Sequence, residues 1–151
     1  VLYLKETTQK DKDLLYIWAN EEESMKQAFS PHFIELKEHE NWFSKKLKDK
    51  NCKMYLLYQE DTPVGEIRVE CKEGTARISY SIAKEYRGQG YGKKLLELLE
   101  QEIESKPFQF SGIKTLKGEV LQGNEASRHV FLALGYQEEV KDGFYVYRKE
   151  L

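Results

Sequence analysis

The sequence predicts a layered α/β (α+β) domain, in which a mixed, mostly antiparallel twisted sheet of about seven strands carries helices on both faces. Three observations lead there. Strand-like and helix-like runs follow one another in the order β-α-α-β-β-β-α-β-α-β-β. The three consecutive strands in the middle are joined by tight turns, which makes them an antiparallel meander. The last of the three passes through a glycine-rich turn, Arg87-Gly88-Gln89-Gly90-Tyr91-Gly92, into a helix and then another strand. That is a βαβ unit with its glycines at the C-terminal end of the first strand.

Each element has a local reason. Leu2 to Glu6 reads as the first strand. Asp11 or Asp13 is placed to cap a helix through Leu14, Leu15, Ile17 and Trp18. Residues 21 to 36 lack a clear period, and Ser30-Pro31 breaks any helix there. Lys37 to Leu47 is amphipathic, with His39, Trp42, Phe43 and Leu47 close to one face. Met54 to Gln59 is a strand of apolar and aromatic residues, and Glu60-Asp61-Thr62-Pro63 turns the chain. Val64 to Cys71 reads as a strand without clean alternation, and Lys72-Glu73-Gly74 turns again. From Ala76 to Ala83, Ala76, Ile78, Tyr80 and Ile82 make one face and Arg77, Ser79, Ser81 and Ala83 the other. The helix from Tyr91 to Glu104 carries a stripe of Leu95, Leu96, Leu99 and Ile103 and is stopped by Pro107. Thr115 to Leu121 is a strand; Asn124 then caps a helix from Glu125 to Leu134, which Gly135 ends. Tyr136–Val140 and Phe144–Lys149 form a hairpin around Lys141-Asp142-Gly143.

Composition narrows the function classes. The 151 residues read as one domain, 1–151, large enough for a substantial core. A formal net charge of −2 and the lack of a basic stripe argue against nucleic acid as a partner. No apolar run approaches the length of a membrane span, so no membrane partner is expected. No signal peptide is expected either: Lys5 and Glu6 fall inside a strand-like start. Cys52 and Cys71 lack metal-ligand or redox spacing and read as two reduced thiols, which makes the cytoplasm the expected location and a metal unexpected.

The glycine-rich turn is the feature that carries chemistry. Glycines let the backbone approach a ligand closely, and successive N–H groups at a helix N-terminus converge on phosphate oxygens. Two familiar phosphate loops fail on spacing. A P-loop requires glycine at Arg87 and a hydroxyl at Lys94. A dinucleotide fingerprint requires glycine at Lys93 and belongs in the first crossover of a parallel sheet, whereas this turn falls past mid-chain.

The residues Arg87 to Gly92 resemble instead the acyl-CoA signature Arg/Gln-x-x-Gly-x-Gly/Ala of the GNAT family of acetyl-CoA-dependent N-acetyltransferases. Tyr86 before it and Lys93, Lys94, Leu95 and Leu96 after it are similar to the family pattern. A second motif follows in order: Val120-Leu121-Gln122-Gly123-Asn124-Glu125-Ala126-Ser127, then Phe131 and Leu134-Gly135-Tyr136. The resemblance spans residues 54 to 149. In the N-terminal part, Trp18-Ala19-Asn20, Met25 to Phe29 and Glu38-His39-Glu40-Asn41-Trp42-Phe43 resemble bacterial aminosugar acetyltransferases, those acting on nucleotide-linked amino sugars in pseudaminic acid biosynthesis.

The resemblance implies a GNAT fold with splayed central strands, acetyl-CoA as cosubstrate without a metal, and acetyl transfer to a small-molecule primary amine such as a nucleotide-linked amino sugar. Lys26, His32, His39, Phe29 and Trp42 are the basic and aromatic residues that point toward such an acceptor. Other acceptors fit the same motifs: a protein N-terminus, a polyamine, an amino acid or an aminoglycoside. So does a non-catalytic CoA-binding domain, and a homodimer is an open option for assembly. The backbone of Gly88, Gln89, Gly90, Tyr91, Gly92 and Lys93 is the expected pyrophosphate cradle, with Arg87 as a phosphate partner and Lys93, Lys94 and Arg128 as candidates for the 3′-phosphate. Asn124 is expected on the pantetheine arm, near Ser127, while also capping its helix. A backbone N–H near Ile82 or Ala83, in a strand carrying a bulge, is the expected donor to the acetyl carbonyl.

For the base, Glu119 comes first, five residues before Asn124 where related aminosugar enzymes carry a glutamate; His39 comes second, because its ordinary pKa suits the task. Glu66 and Glu70 read as strand-surface carboxylates. Many relatives place a tyrosine seven residues after the asparagine to protonate the departing thiolate. Here that residue is Phe131, so Tyr136, Tyr80, Ser127 or solvent must stand in.

Overall fold

The computed structural model describes residues 1–106 and 109–151. Seven strands form one sheet: β1 (Leu2–Glu6), β2 (Cys52–Gln59), β3 (Thr62–Lys72), β4 (Thr75–Ile82), β5 (Thr115–Leu121), β6 (Gln137–Val140) and β7 (Phe144–Glu150). Their spatial order is β1-β2-β3-β4-β5-β7-β6. All neighbours are antiparallel except β4 and β5, which pair in parallel through the crossover helix, α4 (Tyr91–Ser105). The remaining helices are α1 (Lys12–Ala19), α2 (Glu22–Lys26), α3 (Leu36–Lys48) and α5 (Glu125–Ala133).

The sheet buries both faces, as its sequence pattern requires. On one face Tyr55, Leu57, Ile67, Val69, Ala76 and Ile78 pack against the predicted leucine stripe of α4 and against Phe131 of α5. On the other, Leu56 packs with Leu15 of α1 and Phe43 of α3. Strand β2 is therefore apolar on both sides, which explains why its sequence shows no alternation.

The irregular pattern of β3 has a specific cause. Leu57 pairs with Gly65 while Tyr58 pairs with Pro63, so Val64 is an extra residue in the ladder. Such a bulge shifts the phase of the strand. Val64 and Ile67 consequently face the same core although they are an odd number apart. The bulge expected in the strand before the glycine-rich turn lies here instead; β4 pairs with β3 without a break from Thr75 to Ile82.

Other boundaries shift slightly. The irregular stretch after α1 contains the short helix α2, capped by Glu21, whose carboxylate accepts from the N–H groups of Glu23 and Ser24 at 3.1 Å. Asp11 stands at the N-terminus of α1 but its carboxylate accepts from Thr8 N–H at 2.8 Å, across a 3₁₀ turn, rather than capping α1. The stop expected at Pro107 lies outside the described residues.

The decisive feature of the sheet is where it opens. The parallel ladder of β4 and β5 runs only from Thr75↔Thr115 to Ile78↔Gly118. Beyond it β4 stays on β3 and β5 stays on β7, so the C-terminal ends of the two strands part.

Candidate functional site

A cleft of about 1090 Å³ occupies this gap and passes through the sheet. One limb is walled by Gly88, Gly90 and Lys93 and by Asn124, Ser127 and Phe131; the other by Ser24, Gln27 and Phe29 and by Arg68, Arg77, Ser81 and Glu119.

The first limb is built around the start of α4. Gly88 and Gly90 adopt φ of 76° and 82°, the left-handed region that side chains disfavour. A Cβ at either position would meet no protein atom within 4 Å, so the turn presents bare backbone to open space. No side chain caps α4 and no acidic residue stands in its first turn. Its free N–H groups and dipole therefore face the cleft without neutralisation, as anion binding needs. Gly92 serves a different purpose from the one its position suggests. A Cβ there would stand 3.3 Å from Val130 and 3.4 Å from the Tyr80 ring, so this glycine lets α4 pack tightly on α5 and β4. Tyr91 packs edge-on against Tyr86, and the Gln89 side chain lies beside the Glu85 carbonyl, outside the cleft wall.

Two cations expected at phosphate are committed elsewhere. Arg87 donates from Nε to the Ile82 carbonyl at 3.0 Å and from its two Nη atoms to the Glu21 carboxylate at 3.2 and 2.7 Å. That pairing holds the Glu21 carboxyl down at about 2. Arg87 thus ties the glycine turn to α2 while lining the cleft, with its donors engaged by Glu21 and the Ile82 carbonyl. Arg128 donates to both oxygens of Glu138, at 2.8 and 3.3 Å, and lies over the Tyr145 ring. Lys93 remains on the cleft wall, and neither it nor Lys94 is ion-paired among the described residues.

Asn124 caps α5 by accepting from Ser127 N–H at 3.3 Å, which leaves its amide N–H₂ uncommitted. Ser127 Oγ shares a hydrogen bond of 2.9 Å with Tyr80 Oη, and burial pushes the Tyr80 phenol up to about 12. The Tyr136 hydroxyl, by contrast, donates to Glu100 at 2.7 Å, away from the cleft. Phe131 stacks on Tyr147 with centroids 5.1 Å apart and edges onto Tyr136 at 5.0 Å. Its ring fills the space above Gly118: a Cβ there would stand 2.7 Å from Cε1 and nearer still to Cζ.

The parted strands also sort the backbone donors. Ala83 N–H donates to Val64 O at 2.8 Å and is used up in the sheet. Donors along a strand alternate sides, so Ile82 N–H points the other way, toward the gap left by β5. Of the two residues singled out, Ile82 faces the cleft with its amide and Ala83 does not.

The second limb holds Glu119, with its carboxylate 4.0 Å from Arg77 Nη1. Phe29 lines it too, edge-on to Phe144. His39 is elsewhere, and its assignment as a base is corrected. It is 3 % exposed, packed among Tyr16, Trp42 and Phe43, and its Nε2–H donates to the Lys12 carbonyl at 2.9 Å. Lys26 pairs with Glu22 and His32 with Glu38 on the surface, and Trp42 backs Arg68, so none of the three lines the cleft. The cleft-wall residues to which sequence reasoning gave no role are Arg68, Arg77 and Ser81. Ser81 donates to Glu66 at 3.3 Å, and burial pushes the Glu66 carboxyl up. The signal for Arg77 and Ser81 was the polar alternation of β4, which marks a face without saying that the face is a cleft wall; β3 gave no such signal for Arg68.

Against known proteins, residues 2–137 match the family described as acetyltransferase (GNAT) domain, and the chain belongs to that family. It is accordingly an acyltransferase dependent on acetyl-CoA. It is 27% identical over 109 residues to the uncharacterized N-acetyltransferase YfmK of Bacillus subtilis (strain 168), covering 70% of each chain. Among solved structures it superposes on aminoglycoside acetyltransferase AAC(6')-Ib in complex with coenzyme A, with TM-score 0.81, 16% identity, and 99% and 95% of the two chains covered. It superposes similarly on spermidine N-acetyltransferase from Vibrio cholerae in complex with CoA and spermine, with TM-score 0.79, 18% identity, and 99% and 94% covered. At these identities the likeness is one of fold. No helix among the described residues is long and apolar enough to cross a membrane.

Proposed function

We propose that the chain acetylates the primary amine of a small aminosugar, such as a nucleotide-linked amino sugar, inside the cleft between β4 and β5. The observation that carries acetyl transfer at this place is the opening of the sheet: it turns one amide, Ile82 N–H, into a gap with a bare helix N-terminus on one side and a carboxylate on the other, while Phe29 is the residue of the expected acceptor set that lines the cleft. Acetyl-CoA supplies the activated acetyl group as a thioester.

The residues present fit that cosubstrate. The backbone around Gly88, Gly90 and Lys93 is left open by the absence of side chains and offers N–H groups to pyrophosphate. Asn124 has its amide donors free for a polar arm running through the gap. Ile82 N–H is a fixed donor for an acetyl carbonyl, and its value lies in being aimed before charge develops on the oxygen. Glu119 takes a proton from the ammonium form of the acceptor, directly or through water, leaving a lone pair for attack. The amine nitrogen then bonds to the acetyl carbon as the carbon–sulfur bond breaks, the nitrogen gives up its second proton to water, and the departing thiolate takes up a proton. Tyr80 and Ser127 are among the hydroxyls lining the cleft, and solvent is the alternative donor; Phe131 has no proton to give. The two free thiols support a cytoplasmic setting.

The test is acetyl-CoA consumption, followed by thiol release, against nucleotide-linked amino sugars, free amino sugars, polyamines, aminoglycosides and peptides. Turnover confined to amino sugars is the expected result. Preference for a peptide N-terminus or a polyamine contradicts the acceptor, and no turnover with any amine contradicts the enzyme reading.

A further inference from the structure

Three cations in and beside the second limb converge on one carboxylate. Glu70 accepts from Lys46 Nζ at 2.8 Å through one oxygen, and from Arg68 Nε at 2.8 Å and Arg77 Nη2 at 3.2 Å through the other. This cluster pulls the Glu70 carboxyl down to about 2 despite its burial. One carboxylate cannot satisfy three cations. Nη1 and Nη2 of Arg68, and Nε and Nη1 of Arg77, make no hydrogen bond among the described residues. The next carboxylate, Glu119, lies 4.0 Å from Arg77 Nη1, beyond hydrogen-bond reach.

Both half-used guanidinium groups belong to the cleft wall, together with Ser79 and Ser81 from the same face of β4. Arg68 lies over the Trp42 ring at 5.1 Å, so one of the two forks is positioned in advance. Neither Glu70 nor Glu119 fills the remaining donors of Arg68 and Arg77. A polycationic amine entering this limb would meet two arginines with unfilled donors. An oxyanion would complete them, because a guanidinium fork matches carboxylate and phosphate geometry.

We infer that the acceptor carries an anionic oxygen group, carboxylate or phosphate, on the same small molecule as its amine, held by the free forks of Arg68 and Arg77 while the amine turns to Glu119. This rests on the acetyl-transfer reading above and narrows its substrate class. An acceptor of the same size without the anionic group would lose the arginine contacts but keep the path to the acetyl group.

The test compares matched pairs of amino-sugar acceptors at fixed acetyl-CoA: glucosamine with glucosamine 6-phosphate, and glucosamine with muramic acid, its carboxylate-bearing ether; spermidine and kanamycin are the polycationic arm. The anionic member of at least one pair should exceed its partner in kcat/KM by about 10- to 100-fold, the range of a charge-assisted hydrogen bond. The phosphate and carboxylate pairs separate the two sources of the anion. In Arg77→Gln the ratio should collapse toward one through a rise in KM for the anionic member, and Arg77→Lys, which keeps the charge but not the fork, should fall between. Arg77 is half exposed, so these variants should fold; thermal unfolding checks it. Faster turnover of spermidine or kanamycin than of any anionic amine, or a ratio unchanged in Arg77→Gln, overturns the inference and leaves acetyl transfer standing. Turnover with none of these amines, nor with a nucleotide-linked amino sugar, overturns the acetyl-transfer reading and this inference with it.

Discussion

Phe131→Tyr restores the residue that related enzymes use as an acid, and the structure says that it should not gain a working hydroxyl. The ring is 2 % exposed, stacked on Tyr147, and its tip lies over Gly118. The space at that tip is already so small that a single Cβ on Gly118 would overlap Cζ and stand 2.7 Å from Cε1. A hydroxyl on Cζ points into the backbone of β5, not into open cleft. Overpacking of this kind costs about 1–3 kcal/mol, and a buried hydroxyl without a partner costs about 1–3 kcal/mol more. Allowing for partial relaxation, the expected loss is about 2–4 kcal/mol. In a chain of this length that lowers the melting temperature by roughly 5–15 °C. Scanning calorimetry reads the loss, and a single-turnover acetyl transfer assay reads the chemistry, which should be flat or slower. An unchanged melting temperature together with a large rise in single-turnover rate would refute the reasoning, because the hydroxyl would then have found the cleft.

The same packing predicts that Gly118→Ala unfolds at a lower temperature and that Phe131→Leu in the same chain relieves part of the loss; strict additivity of the two would show that the ring and the glycine are not in contact. Gly90→Val forces a branched side chain into φ of 82° and covers open backbone, so calorimetry should find acetyl-CoA affinity severely weakened in a chain that still folds. Glu119→Gln should keep acetyl-CoA affinity and lower turnover by roughly 10²–10⁴-fold with a changed acidic limb of the rate profile; a near-normal rate moves proton removal to water. The Arg87–Glu21 pair holds a carboxyl at about 2 against its usual 4.5, so its stabilisation is full above pH 4.5 and fades as pH falls toward 2. Arg87→Gln should therefore be less stable than the parent by about 1–3 kcal/mol at pH 7, with the gap closing across that acid window; a gap independent of pH removes the pair as its cause.

What could be read from sequence was what depends on near neighbours. The alternation Ala76, Ile78, Tyr80, Ile82 and the stripe Leu95, Leu96, Leu99, Ile103 each bury the face they predict, because the periods of strand and helix are local geometry. The β3 pattern was illegible because Val64 is an extra residue, and a bulge is a property of two strands together. The partners of Arg87 were hidden for a similar reason: Glu21 is far away in sequence and meets the glycine turn only after α2 forms. His39 sat on an apolar helix face, where a core histidine and a catalytic one look alike until the Lys12 carbonyl is seen beside it. Gly92 looked like a ligand-facing glycine, whereas its missing side chain faces Val130 and Tyr80. Of the cleft-wall arginines, Arg77 was visible only as polar alternation, since nothing local tells a solvated face of β4 from the side of a gap, and Arg68 was lost in the illegible pattern of β3.

The central claim is that the acetyl group is delivered in the opening between β4 and β5, with pyrophosphate on the backbone at the start of α4. An amide NMR titration with acetyl-CoA tests it most directly. The account predicts that the largest shifts fall on Gly88, Gly90, Gly92 and Lys93 and, as a separate cluster, on Ile82, with Ala83 moving little because its N–H is held by Val64. Saturating shifts that leave Ile82 and the glycine turn unmoved and gather elsewhere in the sheet would contradict it.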